Sequence, residues 1–425
     1  MRYSIIGATV EQVKSAGGQD IKETRTGIIF ATLTDSQVER LKEARCIIRP
    51  LGEVRTAVMP PVPVTAVPTY STAQLMWATG LEQLRSISDP PLYGGGINLA
   101  IIDTGVRETH EQIGGRIVYR KNFTADPHRD GFDHGTGVAS LALVVAPMAN
   151  IIDFKVLDDK GMGTEEEVVL AIDEALSLHD KGSEFAPWVI NLSLGSPDDG
   201  DPYNPLRVAC RAAIERGIWV IAAAGNTGPS PQTIMCPASE RYVTAVGSAR
   251  FLADARTFVV SNFSSRGPTR EGLVKPDVVL FGEDVVVASS TSDTATVAKS
   301  GTSFATPFAS GLAILYYEGV LAYGGVRYPE GPPSGIFPEI TELVSSQQLL
   351  DRYLPGLCIK PQGSPAVKDY EYGYGLPFGP LITQALSPRP AVDLSSLVPA
   401  FSALMMVGMV GMMMRGTLVG GRSGR

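Results

Sequence analysis

The chain has 425 residues, enough for two or three domains at about 150 residues each, and its 44% hydrophobic and 19% charged residues exclude a disordered protein. The formal net charge of −8 comes without a long basic stretch, which argues against nucleic acid as a partner. Four scattered cysteines and four histidines without close spacing predict neither a disulfide framework nor a metal cluster.

Residues 1–58 predict a small α+β domain. Its elements are expected to be a strand at residues 3–8, a helix from Val10, strands around residues 22–33, a helix from Asp35 and a last strand near residues 47–58. The first apolar run is too short for a signal peptide, so no export signal is expected and the compartment stays open. The proline-rich residues 59–75 predict an extended linker.

Residues 76–387 predict an α/β domain in which a parallel sheet carries helices on both faces, because apolar strand runs alternate with helical patterns. The strands are expected at residues 97–103, 151–156, 188–194, 219–224 and 242–246. The helices are expected at residues 136–145, 165–178 and 205–216. Thr164 and Glu167 form a capping box, so the acidic run that follows Thr164 is interpreted as helix-start chemistry and not as a metal site.

Asp103 ends the first of these strands, and the chemistry of such sheets gathers beyond the carboxyl ends of the strands. An Asp-x-Gly at a strand end is also a common turn. His134 opens a helix whose next residues are small, so the imidazole can face a cleft; the alternative is an ordinary surface histidine.

Ser303 begins an apolar helix that is expected to run to about Tyr317, with Pro307 in its first turn. Unpaired backbone donors and the helix dipole at that end favour negative charge beside the hydroxyl. The alternative is a helix-capping serine. Asn226 ends another buried strand and offers an amide donor for an oxyanion, although Asn before Thr-Gly is also a turn residue.

The order Asp103, His134, Asn226, Ser303 resembles the subtilisin-like serine proteases, over about residues 76–387. Two further segments share in the resemblance, Lys275-Pro276-Asp277 before the serine and Gly373-Tyr374-Gly375 near the end of the domain. It implies a serine endopeptidase in which Ser303 is the nucleophile, His134 the general base and Asp103 the group that orients the histidine. The oxyanion would be bound by the Asn226 side chain and the Ser303 N–H.

The same resemblance implies an extended protein or peptide substrate held between two edge segments, although both segments also fit ordinary turns. These segments are Ser193, Leu194 and Gly195 on one side and Gly161, Met162 and Gly163 on the other. The resemblance also places Met235 and Cys236 near the floor of the main specificity pocket, where a bulky Met235 would make the pocket shallow.

Residues 1–58 resemble the inhibitory propeptide of the family by position and predicted shape, so we expect an autoprocessed zymogen cut between Val58 and Thr72. No cofactor is expected. Gln112 stands where the family often has a calcium-binding Asp, so the tight calcium site is expected to be absent, and calcium is left only as a weak-site option.

Residues 388–425 predict a C-terminal extension with an uncharged apolar segment at 397–414, at the lower length limit for a bilayer span. A membrane anchor, a partner-binding segment and a core helix of the extension stay open for it. Two other functions also stay open: a dedicated precursor-processing protease or transamidase, and a catalytically silent binding module tethered to a membrane.

Overall fold

The computed structural model describes residues 1–57, 72–88, 90–252, 257–323 and 358–379. The chain separates into two compact units, residues 1–386 and residues 387–425, and the second lies wholly outside the described residues. Most of the predicted linker and the whole apolar segment 397–414 therefore fall outside the description. Within the described ranges, every helix is too short or too polar to traverse a lipid bilayer.

The first 50 residues form a four-stranded antiparallel sheet in the order β2-β3-β1-β4, with two helices. The elements are β1 (Arg2–Ile6), α1 (Val10–Ser15), β2 (Gln19–Glu23), β3 (Ile28–Thr32), α2 (Asp35–Glu43) and β4 (Ile47–Pro50). Both helices start at a threonine whose backbone N–H donates to a glutamine three residues later, at 2.7 Å for Thr9 and 2.8 Å for Thr34. Apart from the last strand, the predicted elements of this region are present.

Strand β3 shows why the sheet packs on both of its faces. Successive side chains of a strand point to opposite sides, and here Ile29 and Ala31 join an apolar cluster within the N-terminal region. Ile28 and Phe30 join a second cluster that belongs mainly to the larger sheet of the protein. The N-terminal sheet therefore shares its core with the rest of the unit.

The predicted last strand, residues 47–58, is wrong as a single element. It breaks after Pro50, which has no N–H to continue a ladder, and a new strand β5 (Glu53–Thr56) begins beyond Gly52. Gly52 donates its N–H to Glu165 Oε2 at 3.0 Å. Strand β5 leaves the N-terminal sheet and joins a different one.

The larger sheet has eight strands in the order β14-β13-β12-β10-β6-β8-β7, with β15 paired to β13. All of its pairings are parallel except that of β14 with β13. Its strands are β6 (Asn98–Asp103), β7 (Ile117–Asn122), β8 (Asn150–Lys155), β10 (Val189–Leu192), β12 (Trp219–Ala223), β13 (Thr244–Leu252), β14 (Thr257–Val260) and β15 (Val278–Phe281). The predicted α/β class, with a mostly parallel sheet, is confirmed.

Helices cover both faces of this sheet, and the alternation along β6 divides the core between them. Leu99 and Ile101 pack on one side, whereas Ala100 and Ile102 pack on the other. The helices are α3 (Thr72–Ala78), α4 (Leu81–Ile87), α5 (Gly135–Val145), α6 (Glu165–Asp180), α7 (Pro205–Glu215) and α8 (Thr302–Tyr323). Helix α3 begins inside residues 59–75, where an extended linker was predicted.

Short strands complete the described unit. They are β9 (Met162–Thr164), β11 (Leu194–Gly195), β16 (Val285–Ala288), β17 (Thr296–Lys299), β18 (Cys358–Ile359) and β19 (Leu376–Pro377). Strands β11, β5 and β9 form a three-stranded sheet in that order. The segment β5 therefore lies between two strands that come from the larger part of the unit.

Candidate active site

Asp103 and His134 form a buried pair at the carboxyl edge of the large sheet. Asp103 is the last residue of β6, and His134 immediately precedes α5. Oδ1 of Asp103 lies 2.6 Å from Nδ1 of His134, and the Thr104 N–H donates to the same oxygen at 2.7 Å. This contact fixes the ring so that Nε2, the opposite nitrogen, faces away from the carboxylate.

Asp130 ties together the two backbone segments that carry this pair. Its Oδ1 accepts hydrogen bonds from Thr104 Oγ1 at 2.8 Å and from the His134 N–H at 3.1 Å. Its Oδ2 accepts from the Thr136 N–H at 2.9 Å. One buried carboxylate thus satisfies donors at the start of α5 and on the loop after β6.

A buried lysine, Lys155, also binds the loop after β6. The Lys155 ammonium is inaccessible to solvent and donates to the Thr104 carbonyl at 2.8 Å and to Asp159 Oδ1 at 3.2 Å. Thr104, on the loop after β6, is therefore hydrogen-bonded both to a buried carboxylate, that of Asp130, and to a buried ammonium group, that of Lys155.

Ser303 lies in the first turn of α8, and the residue after it packs against His134. The ring of the next residue, Phe304, has its centroid 5.3 Å from that of His134. Oγ of Ser303 lies within hydrogen-bonding distance of two carbonyl oxygens, Ala57 at 2.6 Å and Ser193 at 2.9 Å. His134 Nε2 is buried and, among the residues described, has no hydrogen-bond partner.

Pro307 was expected in the first turn of α8, but it lies further inside the helix, as its sixth residue. A proline there removes the N–H that would bind the carbonyl four residues earlier, which is that of Ser303. The Ser193 hydroxyl supplies the missing donor, at 2.8 Å from the Ser303 carbonyl oxygen. This bond couples the backbone of Ser303 to the segment that precedes β11.

The Asn226 side chain is oriented by Thr302. Its Oδ1 accepts from both the N–H and the Oγ1 of Thr302, each at 2.9 Å. Because both partners are donors, the amide nitrogen must point the other way, and Nδ2 donates to the carbonyl oxygen of Ala57. Asn226 and Ser303 thus meet at one carbonyl oxygen of the chain's own backbone.

The two predicted edge segments hold strand β5 between them. On one side Leu194 pairs with Thr56 and Gly195 with Arg55, in antiparallel register. On the other side the partners in register are Glu53 with Thr164, Val54 with Gly163 and Arg55 with Met162. Two further bonds extend the pairing, from the Thr56 N–H to the Gly161 carbonyl at 3.2 Å and from the Ala57 N–H to the Ser193 carbonyl at 3.3 Å.

Ion pairs hold the N-terminal sheet against α6 and the loop before α7. Arg2 and Lys22 contact Glu166 at 2.7 and 2.9 Å, and Arg49 contacts Asp199 and Asp201. Burial raises the pKa of the Glu166 carboxyl, but the hydrogen bonds and charges of Arg2 and Lys22 outweigh it and leave that pKa below its ordinary value. The contacts with Arg2 and Lys22 therefore favour the charged form of Glu166.

Several groups at this site had no direct signal in the sequence. Asp130 could have been noticed, because a carboxylate just before a helix complements its unpaired backbone donors. Nothing local connects Ala57 with Ser303, since 246 positions separate them. In the described part of the chain, no group of three or more His, Cys, Asp or Glu side chains is arranged to hold a metal ion.

The family model described as "Subtilase family" matches residues 94–324, which is more than half of the chain. A subtilisin from Bacillus sp. (strain TA39) is 31% identical over 62% of this chain and 64% of its own length. Serine protease AprX from Bacillus subtilis (strain 168) is 32% identical over 53% of this chain and 58% of its own. Each match thus covers less than two thirds of the length of the relative.

Solved structures also resemble the chain. Sphericase superposes with a TM-score of 0.55 and 26% identity, over 70% of this chain and 97% of that protein. Fervidolysin from Fervidobacterium pennivorans is a keratinolytic enzyme related to subtilisin. It superposes with a TM-score of 0.65 and 19% identity, over 92% of this chain and 61% of that protein. At this identity the similarity is one of fold alone.

Proposed function

This chain belongs to the subtilase family, and on that basis we propose that it is a serine endopeptidase that cleaves peptide bonds through an acyl-enzyme on Ser303. The observation that carries the proposal is the Ala57 carbonyl oxygen, which lies 2.6 Å from Ser303 Oγ and accepts a hydrogen bond from Asn226. A peptide carbonyl at a hydroxyl and an oriented amide donor is the ground state that acyl transfer requires.

In the proposed reaction, Ser303 Oγ turns toward His134 Nε2, the buried atom that has no partner among the described residues. The imidazole takes the hydroxyl proton while Oγ bonds to the carbonyl carbon, and Asp103 stabilises the imidazolium. Asn226 Nδ2 and the Ser303 N–H bind the oxyanion. The imidazolium then gives its proton to the leaving amine as the C–N bond breaks. A water molecule, deprotonated by His134, attacks the carbonyl carbon of the ester, and the imidazolium returns that proton to Ser303 Oγ as the acid product leaves.

We further propose that the first substrate is the chain itself, cut between Ala57 and Val58. This bond lies just before the range of residues 58–72 expected from the sequence, because the residue seated at Ser303 is Ala57. Residues 1–57 would remain bound afterwards through β5 and the N-terminal sheet, and so act as an inhibitor. Those pairings are made by backbone atoms, so they survive the cut.

N-terminal sequencing of the purified protein and of its Ser303→Ala variant tests both proposals. The wild type should yield a new terminus at Val58 and, once residues 1–57 have dissociated from the cut chain, should react with a fluorophosphonate probe. Ser303→Ala should stay intact and unlabelled, whereas Ser86→Ala, at an exposed serine on α4, should behave as the wild type.

Cleavage of the Ser303→Ala variant at the same bond would contradict self-processing. A wild type that neither cuts itself nor reacts with the probe would favour the silent binding module instead. Ligated or cyclic products from a peptide library would indicate a transamidase.

A further inference from the structure

Asp133, the residue before His134, has an unusual backbone conformation. Its φ is 62°, in the left-handed region that glycine adopts without strain and other residues adopt only at a cost. Glycines stand nearby at Gly131, Gly135 and Gly137, so this part of the chain uses glycine freely. A non-glycine residue persists in such a conformation only where its surroundings hold it there, which directs attention to the contacts of the Asp133 side chain.

The Asp133 carboxylate binds the hairpin formed by β16 and β17. The Ser290 N–H, in the loop of the hairpin, donates to Oδ1. The Lys299 ammonium, on the last residue of β17, donates to Oδ2 at 2.9 Å. Burial raises the pKa of Asp133, but Lys299 and the hairpin loop outweigh it and leave that pKa below its ordinary value. The carboxylate is therefore charged at neutral pH.

These contacts join the two segments of the chain that carry the proposed base and nucleophile. Asp133 is covalently bonded to His134, which precedes α5. Lys299 lies four residues before Ser303, on the strand that leads into α8. A shift of either segment therefore changes the separation between His134 Nε2 and Ser303 Oγ.

The hairpin also packs directly on α5. The Ala288 N–H donates to the Ser140 hydroxyl at 3.1 Å. A Cβ added to Gly137 would lie 2.8 Å from Val287 Cγ2, so the hairpin cannot approach the helix more closely. The contacts of Asp133 oppose the other movement, in which β17 and the start of α8 draw away from His134.

We propose that Asp133 and Lys299 are positioning residues, whose ion pair holds the segment of His134 at a fixed distance from the segment of Ser303. The inference rests on the proposed endopeptidase activity. It requires neither side chain to touch the substrate or the reacting atoms. Reacting atoms must lie about 3–3.5 Å apart, and a misplacement of about 1 Å can slow a reaction by about 10²-fold.

Self-cleavage measures positioning directly, because the segment to be cut is already bound. Asp133→Asn keeps an acceptor for the Ser290 N–H and suits the left-handed conformation, but it removes the charge that holds Lys299. The variant should form the Val58 terminus about 10-fold more slowly than the wild type. For the freed enzyme and a fluorogenic peptide with the sequence of residues 53–57, kcat should fall by the same factor with little change in KM.

A double-mutant cycle tests whether the two residues act as a pair. Lys299→Met should slow self-cleavage about as much as Asp133→Asn does. The two substitutions together should slow it no more than either alone, because each removes the same contact. Two independent roles would instead multiply the two losses.

Asp133→Gly separates positioning from stability. Glycine removes the contact with Lys299 and the backbone strain together, so in the Ser303→Ala background it should unfold at nearly the same denaturant concentration as that background alone. With Ser303 present it should still cut itself about 10-fold more slowly than the wild type. Asp293→Asn is the matched control, since Asp293 joins the same hairpin to Arg107 through an exposed ion pair, and it should keep the wild-type rate.

The outcomes separate this inference from the proposed activity. A wild type that cuts itself, with Asp133→Asn and Lys299→Met cutting at the same rate, overturns the positioning role alone. A loss that lies in KM and leaves kcat unchanged overturns it too. Should Asp133→Asn not fold, Lys299→Met and Asp133→Gly decide the matter. A wild type that neither cuts itself nor reacts with the fluorophosphonate probe overturns the endopeptidase, and this inference with it.

Discussion

The carbonyl oxygen of Ala57 lies 2.6 Å from Oγ of Ser303, although the two residues are 246 positions apart. The same oxygen accepts from Asn226, and the flanking strand β5 is paired on both edges. The chain therefore occupies its own cleft with its own backbone. If the chain cuts itself as proposed, the rate of that cleavage would measure the contribution of each group at the site within a single molecule.

Asn226→Asp should slow self-cleavage by about 10²–10³-fold, the loss that follows when a subtilisin is deprived of one side-chain donor to its oxyanion. The aspartate can still accept from Thr302, as Oδ1 of Asn226 does now, but it has no N–H for the oxyanion. The time course of appearance of the Val58 terminus measures the effect. An unchanged rate in a folded variant would remove Asn226 from the mechanism.

Asp130→Ala should lower kcat for a peptide substrate by about 10–100-fold with little change in KM. The substitution leaves three donors without their acceptor, Thr104 Oγ1 and the N–H groups of His134 and Thr136, so the Asp103–His134 pair loses its alignment. The three hydrogen bonds of the Asp130 carboxylate go to Thr104, His134 and Thr136 and not to β5, which is why binding should be spared. Asp130→Asn keeps one acceptor oxygen and should fall between this variant and the wild type. A rise in KM with unchanged kcat would contradict a positioning role.

Acid should release residues 1–57 from the enzyme after the proposed cut. The pKa of Glu166 is lower when it is paired with Arg2 and Lys22 than when it is free. Its contribution to binding is therefore complete above the ordinary pKa of a glutamate and is lost as the pH falls through the lowered value. The dissociation constant of residues 1–57, followed by size-exclusion chromatography or by recovered activity, should stay constant down to the ordinary pKa of a glutamate and rise as the pH falls below it. It should also rise with added salt.

Glu166→Gln checks the origin of this pH dependence. It should weaken binding near neutral pH on the order of 10-fold, between the effects of exposed and buried ion pairs, and should flatten the pH profile. Glu39→Gln is the control, because its partner Lys42 lies on the same helix and both side chains are exposed. If Glu166→Gln keeps the full pH dependence of binding, other carboxylates are responsible for that dependence.

Asp277→Ala should destabilise the fold by about 3–5 kcal/mol. Asp277 is fully buried and contacts two ammonium groups, Lys275 and Lys368, each at 2.6 Å. Burial raises the pKa of Asp277, but the two lysines outweigh it and hold that pKa below its ordinary value. Chemical denaturation of the Ser303→Ala background measures the loss without self-cleavage. Asp293→Ala, at an exposed pair with Arg107, should leave the stability almost unchanged.

Much of the candidate site could be predicted because its residues sit at ends of elements. Asp103 closes an apolar strand and His134 precedes a helix of small residues, and parallel strands bring such ends to one edge. Local pattern is enough for that inference. The structure brings the two residues together, with 2.6 Å between Asp103 Oδ1 and His134 Nδ1.

Other parts depended on contacts that no local pattern records. Strand β13 (Thr244–Leu252) runs well past the predicted residues 242–246, through Ser248, which looks polar in sequence. The Ser248 N–H donates to Ser264 Oγ at 3.0 Å, and the Ser248 hydroxyl lies 2.9 Å from the Ser261 hydroxyl. A buried serine is acceptable in a strand only when such partners exist, and they lie 13 and 16 positions away. The break between β4 and β5 has the same origin, since β5 finds its partners more than 100 residues later.

The placement of β5 between β11 and β9 also governs how fast activity would emerge in a population of molecules. In the proposed self-processing, residues 1–57 would be retained at both edges of β5 after the cut, so their departure and not bond breaking would limit the appearance of the first free enzyme. Each liberated molecule would then digest pieces that have left other molecules and so prevent their rebinding. Activity should therefore rise along a sigmoidal curve, with a lag that shortens as the total protein concentration increases.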